Sequence, residues 1–237
     1  RTIIKWDAAT VEPILSIGTK SDYVWSLSLA KDGKTLAAAC GTIGKEQSVK
    51  IWDISTGRFI KRLNDLSSDN DLITSCQFSP NQKYIGAGTD AGKLVYWEYP
   101  ETNNATNYYE DNKGIKNVSF HPRSNYLAGI SKDGKIITQR VKLNSIVTTD
   151  IGKEANSLCF SPDGNFIVVG TTKGITELWD FASKTKLKEW PTHVDVGNFF
   201  DTALFIPYGT ALNINISGDK KKSGGFASSV NSVAWSS

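Results

Sequence analysis

Two histidines, His121 and His193, are all the imidazole that the 237-residue chain carries. A Ser–His–Asp nucleophile would have to be built on one of them, because the hydroxyl needs a neutral base to take its proton. No Gly-x-Ser-x-Gly elbow accompanies either residue, and both read as turn or loop positions. Gly41-Thr42-Ile43-Gly44-Lys45-Glu46 has glycines that could cradle a phosphate. That chemistry needs a helix N-terminus directly behind the loop, and here the pattern continues as strand, so the segment reads as a hairpin loop. The three cysteines, Cys40, Cys76 and Cys159, have neither metal-ligand nor paired spacing. They predict buried, reduced thiols and a reducing, intracellular setting, cytoplasmic or nuclear. The residues therefore predict no catalytic site, no metal site and no cofactor.

Charge points the same way. Lys and Arg number 27 against 24 Asp and Glu, and the net charge of +3 is too small to argue for nucleic acid or an anionic membrane. Lys220-Lys221-Lys222 is too short for a nucleic-acid patch, since counterion release rewards many contacts. No apolar run approaches the roughly 18 residues that a membrane span requires. There is no secretory leader, and the chain opens on a strand, Thr2–Trp6, with no Met; this predicts a portion of a longer or processed protein. Three Asn-x-Ser/Thr triplets begin at Asn104, Asn117 and Asn215. Two of them fall on predicted strands and are discounted as glycan acceptors.

The elements that would have to position any site recur. Four segments align: Val24-Trp25-Ser26-Leu27-Ser28-Leu29, Ile73-Thr74-Ser75-Cys76-Gln77-Phe78, Ile115-Lys116-Asn117-Val118-Ser119-Phe120 and Ala155-Asn156-Ser157-Leu158-Cys159-Phe160. They start 49, 42 and 40 residues apart, and each ends in a turn such as Ser161-Pro162-Asp163-Gly164. A repeat of about 40–45 residues holding four short strands predicts propeller blades. The units are 1–18 (partial), 23–63, 72–109, 115–150, 155–190 and an irregular 199–237. In the last, 200–206 reads as a first strand, 211–216 as a second and 230–236 as another first-strand motif. Its matching turn positions, Pro207 and Ser237, lie only 30 residues apart, too close for a complete blade.

Trp6-Asp7, Trp52-Asp53 and Trp179-Asp180 end predicted third strands, and Trp97-Glu98 is a near match. Together with the period and the Ser-Pro-Asp-Gly turn, they make the chain resemble the WD-repeat β-propeller family, closely over 1–190 and poorly over 191–237. The resemblance implies an all-β fold of four-stranded antiparallel blades, about six or seven in all, incomplete at both ends and forming a single propeller. Trp6, Trp52, Trp97 and Trp179 are expected to pack between blades. The fourth unit carries Gln139-Arg140 in place of Trp-Asp, and the family's Gly-His pair before the first strand is missing throughout. The usual His–Asp–Ser–Trp network therefore cannot form, and the blades are expected to lean on apolar packing.

In this family the loops before first strands and between second and third strands build one face. The matching partner-binding positions are Trp25, Thr74, Lys116, Asn156, Asp201 and Asn231. Thr89, Asp90, Lys132, Asp133 and Lys173 join them from the hairpins. Trp25 is either an interface anchor or a cover over a neighbouring blade. Lys116, Lys132 and Lys173, with Arg123 or Arg140, form either a mildly basic sector for an acidic or phosphorylated peptide or a solvated rim. The loop 101–109 is either a blade-edge insertion or mobile surface. The expected function is a non-catalytic scaffold whose partners are other proteins, with no direct nucleic acid, membrane or small-molecule substrate. Alternatives are a reader of one short peptide or modified motif at the central funnel, and a Ca²⁺-dependent hydrolase or lactonase using Asp201, Asn156 and Asn231.

Overall fold

The computed structural model describes residues 1–20, 22–42, 44, 47–64, 71–143 and 145–191, with only the backbone of 106–108. It also describes the backbone of 203–205, 211–218 and 228–235. The chain divides into two compact units, Arg1–Ile115 and Lys116–Ser237. All regular structure among the described residues is β-strand.

In the first unit, β1 (Thr2–Trp6) and β2 (Pro13–Gly18) form a hairpin. Next come β3 (Tyr23–Leu29), β4 (Thr35–Gly41), β5 (Ser48–Asp53) and β6 (Arg58–Leu63), an antiparallel sheet in that order. A second such sheet follows: β7 (Ile73–Phe78), β8 (Tyr84–Thr89), β9 (Lys93–Glu98) and β10 (Thr106–Glu110). The run Leu36-Ala37-Ala38-Ala39-Cys40 shows why both faces of the β3–β6 sheet are covered. Successive side chains point to opposite faces, and all five are buried. Leu36, Ala38 and Cys40 pack with Trp52 against Ile3 and Ile17 of the first hairpin. Ala37 and Ala39 pack with Val49, Ile51 and Leu63 against Cys76, Phe78, Ile85 and Trp97.

The second unit repeats the arrangement. Its sheets are β11 (Ile115–Phe120), β12 (Tyr126–Ser131), β13 (Lys135–Arg140) and β14 (Ile146–Asp150), then β15 (Ala155–Phe160), β16 (Phe166–Thr171), β17 (Ile175–Asp180) and β18 (Lys186–Pro191). Ala128, Ile130 and Ile136 of one sheet pack with Leu158, Phe160, Ile167 and Val169 of the other. The fourth strands β6, β14 and β18 are mostly exposed. β6 carries Arg58, Lys61 and Arg62 and β18 carries Lys186 and Lys188, charges that keep a free edge from pairing with another chain.

Three expectations change. Thr106–Glu110 is the outer strand of its sheet, so the segment 101–109 is part of a blade rather than an insertion or a mobile loop. Trp52 and Trp97 are buried and the half-buried Trp179 packs against the core between its sheet and the preceding one, as expected, but Trp6 is 53% exposed. In the tail, β19 (Ala203–Phe205), β20 (Ala211–Gly218) and β21 (Ser228–Trp235) make a sheet with β20 in the middle. β21 lies beside β15, in the place expected of β19. The later first-strand motif takes the first-strand place.

Candidate functional site: a variable rim on a repeated frame

The first strands of the second to fifth units end in the same turn. Gly33, Gln82, Ser124 and Gly164 sit at equivalent positions and all have positive φ, 67°, 60°, 58° and 80°. Each donates its N–H three residues back, to Ala30, Ser79, His121 and Ser161. Glycine adopts this conformation without steric cost; Gln82 and Ser124 adopt it because the strands on either side fix the turn. Ser161 Oγ donates to Asp163 Oδ1 at 2.5 Å and accepts from Phe166 N at 2.9 Å. Ser79 does the same with Asn81 and Tyr84. His121 replaces that serine in the fourth unit. Its Nδ1 accepts from Arg123 N at 3.1 Å, and its ring lies 5.2 Å from Phe160 and 5.6 Å from Phe181. It is a buried link to the Gly164 turn rather than an ordinary turn residue.

The first strands are also joined to one another. Ser26 Oγ accepts from Cys76 N at 3.1 Å and Ser28 Oγ from Phe78 N at 2.9 Å. In the second unit Asn117 Oδ1 accepts from Leu158 N at 3.1 Å and Ser119 Oγ from Phe160 N at 3.3 Å. The third and fifth residues of one first strand thus satisfy the fourth and sixth amides of the next. Apolar packing between blades is supplemented by a polar ladder.

Ion pairs tie the loop before a first strand to a third strand. Asp22 pairs with Lys50, both half-buried, and Asp71 Oδ2 lies 3.2 Å from Lys93 Nζ, both buried. In the fifth unit the polarity is reversed: Lys153 Nζ meets Glu177 Oε1 at 2.9 Å, and Glu177 Oε2 accepts from Trp179 Nε1 at 3.0 Å. The Glu177 side chain is fully buried, and its hydrogen bond holds the Lys153 ammonium above the ordinary lysine range. Lys50 and Glu177 both stand two residues before a Trp-Asp tryptophan. The aspartates of those pairs cap their own turns. Asp7 accepts from Ala9 and Thr10 amides, Asp53 from Ser55, and Asp180 from Ser183. The Thr10 amide, the Ser55 hydroxyl and the Ser183 amide, respectively, do most to hold these carboxyls below the usual range.

On this frame the partner-binding positions separate. Trp25 is 41% exposed; its ring lies 5.7 Å from Tyr23, over which the Arg1 guanidinium sits at 4.4 Å. Lys116, Lys132 and Lys173 are exposed, and Asn156 is half-buried. Thr74 and Thr89 are different. The Thr74 hydroxyl bridges the Gly88 and Ile115 carbonyls at 3.0 and 2.5 Å. Thr89 is fully buried and its hydroxyl accepts from Lys93 N at 3.0 Å. Both hold the frame, as Ser131 and Thr171 do at the matching hairpins. Asp201 and the side chain of Asn231 lie outside the described residues. No group of three His, Cys, Asp or Glu side chains is placed to hold a metal among the described residues. Of the three residues named for Ca²⁺, the side chain of Asn156 alone is described.

The family model described as the anaphase-promoting complex subunit 4 WD40 domain matches residues 118–236, half of the chain, and that of the WD domain, G-beta repeat, matches residues 12–53. The chain belongs to the WD-repeat family. An uncharacterized WD repeat-containing protein of Schizosaccharomyces pombe is 24% identical over 73% of this chain and 33% of its own length. A Protein LST8 homolog of Drosophila pseudoobscura pseudoobscura is 23% identical over 75% and 58%. Anaphase-promoting complex subunit cdc20 of Dictyostelium discoideum is 23% identical over 62% and 29%. The chain thus spans about a third of the first and last of these relatives and somewhat more than half of the second. No helix among the described residues is long and apolar enough to cross a membrane.

The Asp22–Lys50 and Lys153–Glu177 pairs were not visible in the sequence. Their signal is a charged residue two places before the first-strand motif, matched by one of opposite sign two places before Trp-Asp.

Proposed function

We propose that both units belong to one propeller, and that the chain is a non-catalytic, intracellular scaffold that holds other proteins in a complex through its rim. One observation carries this reading. Thr74 apart, whose hydroxyl holds the frame, the second residue of successive first strands changes from Trp25 to Lys116 and Asn156, while the next residue is Ser26, Asn117 and Ser157. The frame repeats and the contact positions do not, as a surface that meets several different partners requires. The relatives support it: one is by name a subunit of an assembly. Three unpaired thiols, two of them buried, support the reducing compartment.

The test is affinity purification of the full chain beside the variant Trp25→Ala/Lys116→Glu/Lys132→Glu/Lys173→Glu, with circular dichroism to establish that both are folded. Several partners should be lost from the variant. An unchanged partner set would sink the rim as the binding surface. A single partner lost on Trp25→Ala alone would favour one dominant anchor, consistent with its exposed ring.

A further inference from the structure

Leu27 and Leu29 are the fourth and sixth residues of their aligned first-strand segment, and they are 51% and 53% exposed. The residues in the same places of β7 and β15 are Cys76 and Phe78, and Leu158 and Phe160, all four buried. Those pack with the second strand of the preceding sheet, Ala37 and Ala39 of β4 and Ala128 and Ile130 of β12. Leu27 stands opposite Ala38 and Leu29 opposite Leu36, so both share the face that meets Ile3 and Ile17 of the first hairpin. That hairpin has two strands, where the other sheets of its unit have four. β1 is bonded to β2 along one edge, and among the described residues no strand lies along the other. An apolar face and an open strand edge thus flank the place that a second strand fills in the later sheets. The amides of Leu27 and Leu29 correspond to those of Cys76 and Phe78, which Ser26 and Ser28 take up from the preceding first strand.

We propose that a partner protein donates a β-hairpin here. One strand of the hairpin pairs with the open edge of β1 by main-chain hydrogen bonds and lays small apolar side chains over Leu27 and Leu29. Its other strand carries Ser or Asn two residues apart, which accept from Leu27 N and Leu29 N as Ser26, Ser28, Asn117 and Ser119 accept elsewhere. The repeated interface selects this occupant. A helix would leave the edge of β1 unpaired, a single strand would leave the two leucine amides without acceptors, and a charged strand would bury its charge on Leu27 and Leu29. The proposal rests on the protein-interaction reading and gives the form of partner that one sheet face takes.

The probe is a head-to-tail cyclised peptide of residues 23–41, the β3–β4 hairpin. Its Ser26, Ser28, Ala37 and Ala39 already meet Cys76 and Phe78 in this way, and circular dichroism establishes that it forms strand. Labelled peptide should bind the full chain saturably by fluorescence anisotropy. Its affinity should fall about tenfold or more in Leu27→Asp/Leu29→Asp. Leu27 and Leu29 are exposed, so this variant is expected to fold, and a urea titration checks it. A peptide carrying Ala37→Lys/Ala39→Lys should lose as much on the unaltered chain, which keeps the contact testable without the protein variant. A folded peptide that does not bind, or that binds Leu27→Asp/Leu29→Asp as well as the unaltered chain, would overturn the proposal. So would light scattering that shows a dimer broken by the same substitutions, since a second copy would then fill the face. Partners lost from Lys116→Glu/Lys132→Glu/Lys173→Glu are read separately, so the scaffold reading can stand where this one fails.

Discussion

Ser26 Oγ accepts a hydrogen bond from Cys76 N at 3.1 Å across 50 residues of sequence. Asn117 Oδ1 holds the same relation to Leu158 N across 41. A short polar side chain on one first strand satisfies an edge amide of the next, where that amide has no strand partner. The strand edge is satisfied without extending the sheet, so neighbouring sheets remain separate.

The ladder predicts that Ser28→Ala costs more than an ordinary loss of hydroxyl. Phe78 is buried, so its N–H would lose the Ser28 partner without gaining free access to water. The expected destabilisation is about 1–2 kcal/mol, measured by urea unfolding. Ser119→Ala should lose a similar amount. A loss within about 0.3 kcal/mol of zero for both variants would show that the ladder contributes nothing.

Gly164→Ala should destabilise by about 1–3 kcal/mol. The residue has φ of 80°, and an added Cβ would come within 2.2 Å of His121 Nε2. Gly33→Ala has a similar φ but meets nothing within 4 Å. It should cost only the backbone part, about 1 kcal/mol. Equal losses at the two sites would remove His121 from the account.

His121 makes stability depend on pH. Burial disfavours its imidazolium and outweighs the hydrogen bond to the Gly164 backbone, so its pKa lies below the ordinary 6.5. The unfolded chain then takes up the proton first as pH falls. This contribution to stability is complete above the unfolded pKa and is lost as pH drops from there through the folded pKa. Urea midpoints should fall over that window, and His121→Gln should flatten the fall. A midpoint that drops equally in the variant would place the titration elsewhere.

Burial pushes the thiols of Cys40, Cys76 and Cys159 up to about 12, so little thiolate exists near neutral pH. Ellman's reagent should react slowly with the folded protein and with all three cysteines once urea unfolds it. Rapid labelling of the native chain would contradict this.

Much of this was legible in the residues because period-two alternation and turn chemistry are local. The strands Ile73–Phe78 and Ile115–Phe120 coincide with the aligned first-strand segments. The positive φ of Gly164 follows from its turn. Thr106–Glu110 escaped because its Asn-rich surroundings resemble a loop, and only pairing with β9 makes it a strand. Thr89 escaped for a similar reason. A threonine in a hairpin reads as rim until hydrogen bonding shows its hydroxyl turned inward onto Lys93 N. The ion pairs need two strands brought together, which spacing along one strand cannot reveal.

The pairs Asp22–Lys50 and Lys153–Glu177 occupy matching places with opposite polarity. Asp22→Lys/Lys50→Glu should therefore regain a large part of the stability that either single change removes. Urea unfolding of the three variants measures the coupling, and purely additive losses would deny it.

That inversion also gives look-alike repeats a way to tell one another apart. A third strand from the second repeat docked by mistake onto the loop of the fifth would set Lys50 against Lys153, and the converse error would oppose Asp22 and Glu177. Between these two repeats, a mispairing that fits in shape brings like charges together and is disfavoured.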